Sequence, residues 1–347
     1  MKKAFLSIIV FLSCSSVLGQ NQPQWIENDF SKHFQKYFLF NFEYKNGMWW
    51  VLSDDGLTKY DGNAAITYFL RDNSSGKLEN YLWNLDIMAS GLNRMFVRQD
   101  TIWLISVNEQ KVLRILGDNV ISYNLNLDEE SFRGISRVGF DNDNNIWLIG
   151  SFYEKSLRKM LYKMLYGTVN NLKEFKYPQL NTFVNYFFID GLDKYLIFDD
   201  SLVIIGENSR NIIYLNHKSP SLKTWNHFIK DDMIYLINTN WELYFIKDGE
   251  IIRSETLDIK NQNTFNTGIA VYKDLIYLSC ASGIIVYDLT KKDYYITKPD
   301  DFESHCTWGF DDLKIIGNKL YARYGNALNS LDDSCKYGVG ILNLENK

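Results

Sequence analysis

The stretch "MWWVLSDDGLTKYDGN", residues 48–63, has the pattern of a β-hairpin. Apolar and aromatic residues predict a first strand over 48–53, Asp54, Asp55 and Gly56 predict a tight turn, and residues 57–60 predict a second strand. A lone hairpin is only marginally stable in water. The fold therefore depends on whether the chain repeats this unit.

The hairpin recurs along the whole chain. An aromatic residue marks its first strand seven times, at Trp49, Trp103, Trp147, Tyr195, Tyr235, Tyr277 and Tyr321. Successive separations are 54, 44, 48, 40, 42 and 44 residues, which is the length of a four-stranded propeller blade and exceeds that of most helical repeats. The regular recurrence of these rings fits packing between blades. The sequence therefore predicts an all-β fold, a seven-bladed β-propeller of four-stranded antiparallel blades.

Composition agrees with this class. Aromatic residues make up 16% of the chain, and clusters of Asn, Asp and Gly separate runs of β-favouring residues. Residues 156–166 (SLRKMLYKMLY) have apolar residues at helix-like spacing but also fit a strand, which we favour.

Closure of the ring needs a strand from elsewhere. The seventh unit ends with its third strand at residues 339–344, so its blade lacks a fourth. The spare segment before the first blade, residues 23–30 (PQWIENDF), is the candidate. We therefore expect the N-terminal strand to close the ring.

The N-terminus has the layout of a secretory signal peptide. Lys2 and Lys3 precede an apolar run, and small residues precede a cut before Gln20. Residues 1–19 are thus the predicted signal peptide and residues 20–347 a single propeller domain. The chain is expected to be exported, to the periplasm, the medium or the cell surface, with a lipid anchor at Cys14 as the alternative. The sequence contains no second run of about twenty apolar residues, so it predicts no membrane-spanning helix.

Charge limits the classes of partner. The formal net charge is -5, and loss of Lys2 and Lys3 makes it -7. This mild acidity disfavours nucleic acids and anionic membranes as partners. We expect a monomer.

Three segments resemble the repeat of two-component regulator propellers. They are residues 46–62 (NGMWWVLSDDGLTKYDG), 141–151 (DNDNNIWLIGS) and 275–288 (LIYLSCASGIIVYD). In that family such propellers form the extracytoplasmic sensing half of hybrid histidine kinases and usually detect glycan fragments. This sequence has no tyrosine-rich sandwich domain, transmembrane helix or kinase after Leu344. The resemblance therefore implies an extracytoplasmic propeller, without kinase activity, and it maps no ligand residue.

Acidic clusters offer two possible chemistries, each with a simpler explanation. Residues 141–145 (DNDNN) have the alternating oxygens of a calcium loop but lack its glycine and distal glutamate. Asp54 with Asp55, and Asp199 with Asp200, could act as acid and base pairs. All three clusters fall where the repeat needs a turn, and Asp and Asn favour turns. We therefore interpret them as turn residues.

Other catalytic or metal signatures are missing from the sequence. The histidines, at positions 33, 217, 227 and 305, have no zinc-ligand spacing, and no G-x-S-x-G nucleophile motif occurs. We therefore predict no catalytic residues, no metal and no cofactor.

The remaining interpretation is a non-catalytic binding module for a glycan or an extracellular or cell-envelope protein, acting through variable loops. A propeller-type glycoside hydrolase or polysaccharide lyase is the alternative. It would need at least two acidic or His side chains converging near the central channel. Candidate ligand-binding residues are aromatics in irregular loops or outside the repeated position: Trp83, Phe152, Tyr153, Trp241 and Trp308.

Three cysteines remain after cleavage of the signal peptide: Cys280, Cys306 and Cys335. An odd number in an exported chain allows at most one bridge. Cys306 and Cys335 both fall in the last unit, so we favour that pair.

Overall fold

The computed structural model describes residues 23–34, 39–53, 56–68, 94–98, 100–106, 110–116, 119–127, 130–176, 183–207, 209–215, 224–259, 265–299, 310–324 and 338–345. Their strands form seven four-stranded antiparallel sheets. In four pairs of neighbouring blades the first strands contact each other, which places the first strand of each of those sheets on the inside of the ring. The predicted seven-bladed β-propeller is confirmed.

The first four blades follow the chain order from inner to outer strand. The first blade consists of β2 (Leu39–Lys45), β3 (Met48–Ser53), β4 (Gly56–Tyr60) and β5 (Ala65–Tyr68). The second consists of β6 (Arg94–Arg98), β7 (Thr101–Ser106), β8 (Lys111–Leu116) and β9 (Asn119–Asn124). The third consists of β10 (Phe132–Phe140), β11 (Ile146–Glu154), β12 (Lys159–Thr168) and β13 (Asn171–Phe175). The fourth consists of β14 (Tyr186–Asp190), β15 (Asp193–Ile197), β16 (Ser201–Ile205) and β17 (Arg210–Tyr214).

The last three blades include the closure. The fifth consists of β18 (Trp225–Lys230), β19 (Met233–Asn238), β20 (Glu242–Lys247) and β21 (Glu250–Thr256). The sixth consists of β22 (Phe265–Tyr272), β23 (Leu275–Cys280), β24 (Gly283–Asp288) and β25 (Asp293–Thr297). The seventh consists of β26 (Phe310–Ile316), β27 (Lys319–Tyr324), β28 (Gly338–Asn343) and, as its outer strand, β1 (Gln24–Ile26).

The predicted closure by the N-terminal segment is confirmed for β1 and wrong for its last residues. Trp25 pairs with Leu342, so β1 adds antiparallel to β28. The segment does not stay extended, because Asn28 caps a short helix, α1 (Asp29–Phe34), by accepting a hydrogen bond from the Ser31 N–H at 2.9 Å. Phe30 and Phe34 of this helix are buried between the first and seventh blades.

The repeated aromatics all lie on the second strand of their blades. Six of the seven rings are less than 9% exposed, and Tyr235 is half-buried. They join hydrophobic clusters that fill the spaces between adjacent blades. The predicted packing role is confirmed. Twisted sheets that stack face to face leave a space between neighbouring blades, and one large side chain on the second strand of each blade fills it.

The two ends of the ring differ. One end, the turn face, carries the short connections between first and second strands and between third and fourth strands. Asp141 shows how they close: its Oδ1 accepts the N–H groups of Asp143 and Asn145, each at 3.0 Å, and its Oδ2 accepts Trp147 Nε1 at 2.7 Å. The turn interpretation of residues 141–145 is therefore confirmed.

The other end, the loop face, carries the connections between second and third strands and between blades. The strand ends that flank residues 69–93, 300–309 and 325–337 lie at this face, and those three segments lie outside the described residues. In the described part of the chain, no helix is both long and apolar enough to cross a bilayer.

Candidate functional site: the third-blade hairpin

The two paired strands of the third-blade hairpin are longer than the described second and third strands of the other blades, and they extend toward the loop face. Strands β11 and β12 have nine and ten residues, whereas the second and third strands of every other blade have five or six. The pairing continues from Trp147 opposite Tyr166 to Glu154 opposite Lys159. At about 3.3 Å per residue, three or four extra residues project roughly 10 Å beyond the described strand ends of the neighbouring hairpins.

Local hydrogen bonds fix the conformation of this extension at and near its tip. At the tip, Glu154 Oε1 accepts the Ser156 hydroxyl at 2.7 Å and the Ser156 N–H at 3.1 Å. These two bonds lower the pKa of the exposed Glu154 carboxyl. Just before the tip, the Tyr153 N–H donates to the Ser131 carbonyl at 2.7 Å. The inner strand β10 has two irregularities beside it, one between Phe132 and Gly134, and such bulges re-aim side chains.

One side of the hairpin faces the fourth blade and is aromatic. Tyr153 pairs with Met160, and Tyr162 lies two residues further along the same side of β12. Phe183, which leads into the fourth blade, contacts Tyr162 edge-to-face with ring centroids 5.4 Å apart. Phe183 is 41% exposed and Met160 37% exposed. We call Tyr153, Met160, Tyr162 and Phe183 the aromatic shelf.

Two arginines border the aromatic shelf. The guanidinium carbon of Arg133 lies 5.8 Å from the ring centroid of Tyr153, and that of Arg137 lies 5.8 Å from the ring centroid of Phe183. Both side chains also donate to main-chain carbonyls, Arg133 to Phe132 at 2.9 Å and Arg137 to Ser136 at 2.6 Å. These contacts hold positive charge next to exposed ring faces, where cation–π attraction is favourable.

The other side of the hairpin packs on the blade core. Phe152 is 6% exposed and meets Phe132 edge-to-face with centroids 5.5 Å apart. Lys163 Nζ lies 5.2 Å from the Phe152 ring centroid and 3.6 Å from Glu174 Oε2. Phe152 therefore contributes to packing, and the ammonium above it faces solvent.

The third blade is basic in an acidic chain. Residues 130–176 contain eight Lys and Arg against five Asp and Glu, while the whole chain has a net charge of -5. Within the hairpin, Lys155, Arg158, Lys159 and Lys163 outnumber Glu154. The hairpin is thus a positive, aromatic projection on a negative molecule, which favours anionic ligands at this point.

The candidate ligand-binding residues and cysteines from the sequence analysis lie in different environments. Phe152 and Tyr153 lie on one hairpin but on opposite sides of it. Trp241 lies two blades away, is 9% exposed and packs in the cluster between the fifth and sixth blades. Trp83, Trp308, Cys306 and Cys335 lie outside the described residues. Cys280 is a buried free thiol.

Sequence reasoning missed most of the aromatic shelf. Tyr162 and Met160 belong to the segment whose spacing also fitted a helix, so their common side was not recognised. Phe183 and Arg137 are adjacent only across the space between blades, and no local pattern brings them together. The signal that could have found Tyr162 is the alternation in residues 159–164, with every second side chain on one side of a strand.

A cluster of charged side chains at the ring closure comes nearest to the convergent acidic residues that the hydrolase or lyase alternative requires. Lys314 Nζ lies 2.8 Å from Glu43 Oε1 and 3.8 Å from Asp312 Oδ1. Burial raises the pKa of Glu43 despite Lys314. Burial also acts to lower the pKa of Lys314, but Asp312 and Glu43 outweigh it and the pKa is raised. Lys314 and Asp312 lie in the seventh blade and Glu43 in the first, so the ion pair of Lys314 with Glu43 links the two blades.

The described histidines and acidic residues do not gather elsewhere. His33 stacks on Tyr60, and His227 stacks on Phe188 with centroids 3.8 Å apart in the inner strands of the fourth and fifth blades. Asp199, in a fourth-blade turn, accepts Asn185 Nδ2 at 2.8 Å. A search of the described ranges found no group of three or more His, Cys, Asp or Glu that could hold a metal ion.

No protein-family model matches the chain, and no curated protein matches it. Solved structures do. YCF48 bound to D1 peptide is similar with a TM-score of 0.58 and 8% identity, over 94% of this chain and 97% of that one. The extracellular domain of the hybrid two-component system BT3049 from B. thetaiotaomicron has a TM-score of 0.52 and 13% identity, over 89% of this chain and 40% of that one.

A computationally designed protein, Ika8, has a TM-score of 0.52 and 11% identity, over 89% of this chain and 97% of that one. At such identities the likeness concerns the fold alone, since one propeller architecture serves many functions. The comparisons therefore agree with the seven-bladed β-propeller fold of this chain.

Proposed function

We propose that this chain is an exported, non-catalytic binding propeller that takes a glycan or an extracellular or cell-envelope protein at its loop face. One observation carries the proposal: the third-blade hairpin holds a half-exposed aromatic shelf, bordered by Arg133 and Arg137, above the neighbouring hairpins. Exposed aromatic rings with polar or charged neighbours suit both sugar rings and protein side chains.

The structural neighbours support binding as the kind of function. YCF48 carries a bound D1 peptide, and the BT3049 domain is an extracellular part of a two-component system. The sequence resemblance to two-component regulator propellers agrees with an extracytoplasmic role for this chain too. Residues 1–19 act as the export signal in this proposal, and residues 20–347 work as a monomer without a cofactor.

Further contacts would come from the loop face. Trp83 and Trp308 belong to segments that join strand ends there, so they are candidates for additional contacts with the ligand. A Cys306–Cys335 bridge would fix two of those segments to each other. Phe152 supports the third-blade hairpin through its packing on Phe132, whereas Trp241 packs between the fifth and sixth blades and is not part of the proposed surface.

The test is a glycan array run beside a pull-down from the native cell envelope, with residues 20–347 as bait. Tyr153→Ala combined with Phe183→Ala should lower binding of any captured ligand at least tenfold. Tyr214→Ala is the matched control, because Tyr214 is 73% exposed on the outer strand of the fourth blade and should leave binding unchanged.

Two results would overturn the proposal. Equal losses with the double variant and with Tyr214→Ala would show that the aromatic shelf is not the binding surface. Failure to capture a ligand, together with release of reducing ends from a polysaccharide, would replace binding with the glycoside hydrolase or lyase alternative.

A further inference from the structure

Among the described residues, part of the third-blade hairpin has an unpaired strand edge next to the aromatic shelf; we call it the open edge. Among the described residues, β13 pairs with β12 only from Met164 to Thr168, whereas β12 begins at Lys159. Residues 159–163 therefore pair with β11 on one edge and, within the described part of the chain, with no strand on the other. An open edge offers a row of backbone N–H and C=O groups to an added strand.

The side chains along this edge alternate in chemistry. Met160 and Tyr162 lie on the shelf side, and Tyr162 contacts Phe183. Lys159, half-buried Leu161 and Lys163 lie on the opposite side; Lys159 is exposed, and the Lys163 side chain is 40% exposed. A strand added here would place alternate side chains over aromatic and over cationic surface.

We propose that the open edge of β12, residues 159–163, binds an extended acidic and aromatic peptide segment of a partner protein by strand addition. This deepens the proposed function and rests on it, because it assigns a ligand class to the same hairpin. The favoured segment has aromatic residues opposite Met160 and Tyr162 and acidic residues opposite Lys159 and Lys163. Charge complementarity supports this occupant, since the blade is basic in an acidic chain.

The ability to form main-chain hydrogen bonds with a strand edge distinguishes a peptide ligand from an acidic glycan. A glycan can stack on Tyr162 and pair with Lys163, but it cannot form a regular main-chain ladder with β12. Backbone hydrogen bonds at alternate residues are therefore the property to test.

The probe is a fluorescein-labelled peptide with the core Glu-Phe-Val-Phe-Glu, which matches the edge in either strand direction. Two N-methylated forms serve as a matched pair: one methylated at both Phe residues and one at Val and the second Glu. In an added strand only one of these two sets of amides faces β12. Fluorescence anisotropy with residues 20–347 should show one form binding at least tenfold more weakly and the other within about threefold of the parent.

Protein variants provide the second arm. Lys159→Glu with Lys163→Glu should weaken the peptide at least tenfold. Lys247→Glu, an exposed change of the same sign on the turn face of the fifth blade, should change binding less than twofold. Hydrogen exchange should be fast at alternate amides of residues 159–163 in the free protein and should slow on addition of the peptide.

Each other outcome overturns strand addition. Equal effects of the two methylated forms would show a contact through charge and rings alone. Slow exchange at all of residues 159–163 in the free protein would show that the chain itself covers the edge. If polygalacturonate oligomers bind through Tyr162 and the peptide does not, the glycan form of the proposed function stands and the peptide inference fails. If neither probe binds and the envelope pull-down finds nothing, both fail.

Discussion

The third-blade and fifth-blade hairpins derive from the same repeat but use their terminal aromatic residue in opposite ways. In the fifth blade, Trp241 ends a three-residue turn and is 9% exposed, packed between blades. In the third blade, Tyr153 lies before a longer tip and stays half-buried under Arg133. The first aromatic stabilises the ring, whereas the second is available to a ligand.

Internal hydrogen bonds account for the difference. Asn238, which is fully buried, donates from Nδ2 to Glu242 Oε2 at 2.6 Å, and its Oδ1 accepts the Asn240 N–H at 2.9 Å. These bonds close the fifth-blade turn against the core and hold Trp241 at a φ of 60°. At the third-blade tip, the corresponding bonds between Glu154 and Ser156 are exposed. The tip therefore closes without approaching the core.

The largest expected effect comes from removing the buried aromatic. Trp241→Ala should lower the free energy of unfolding by about 3–4 kcal/mol, because it leaves a cavity between two blades. Tyr153→Ala should cost less than about 1 kcal/mol, since its ring is not enclosed. Thermal and denaturant unfolding of the two purified variants measure this. Equal losses would contradict the comparison.

This contrast also shows what the sequence can predict. The aromatic of the second strand recurs at a nearly constant separation, so the repeat predicted its packing and the number of blades. Trp241 and Tyr153 both depart from that position, and the sequence assigned both to binding. Their burial depends on turn length and on a neighbouring blade. Those are non-local properties, just as the contact of Phe183 with Tyr162 is.

The second expected effect concerns the fifth-blade turn. Asn238→Ala removes the amide that binds buried Glu242 and should destabilise the protein by about 2 kcal/mol. Ser156→Ala, the matched change in the third-blade tip, should leave the melting temperature unchanged. A similar fall in both variants would show that the exposed tip is as important for stability as the buried turn.

The third effect appears only at high pH. Burial, with the Glu242 charge added, raises the pKa of Tyr244 to about 12, against about 10 in the unfolded chain. Between these two pKa values the unfolded state binds fewer protons than the folded state. The contribution of Tyr244 to the free energy of unfolding is therefore fully present below pH 10 and is lost as the pH rises toward 12. Tyr244→Phe should remove about 2 kcal/mol of that loss at pH 12. Urea titrations at pH 8 and pH 11.5 compare the variant with the wild type, and equal pH dependence would contradict the assignment.

The smallest expected effect on stability is that of shortening the third-blade hairpin. Replacing residues 154–159 by Asn-Gly joins Tyr153 directly to Met160, its cross-strand partner, through a two-residue turn suited to the strand twist. The lost residues are exposed or half-buried, and the lost Lys155–Glu130 pair has side chains 71% and 83% exposed, so the pair contributes at most about 1 kcal/mol. The melting temperature should therefore stay within roughly 2 °C of the wild-type value. Ligand capture should nevertheless fall, because Lys159, the first residue of the proposed edge, is removed and the projection is shorter. Thermal unfolding and the envelope pull-down measure both. A large loss of stability would mean that the projection supports the ring, and the division between the two hairpins would fail.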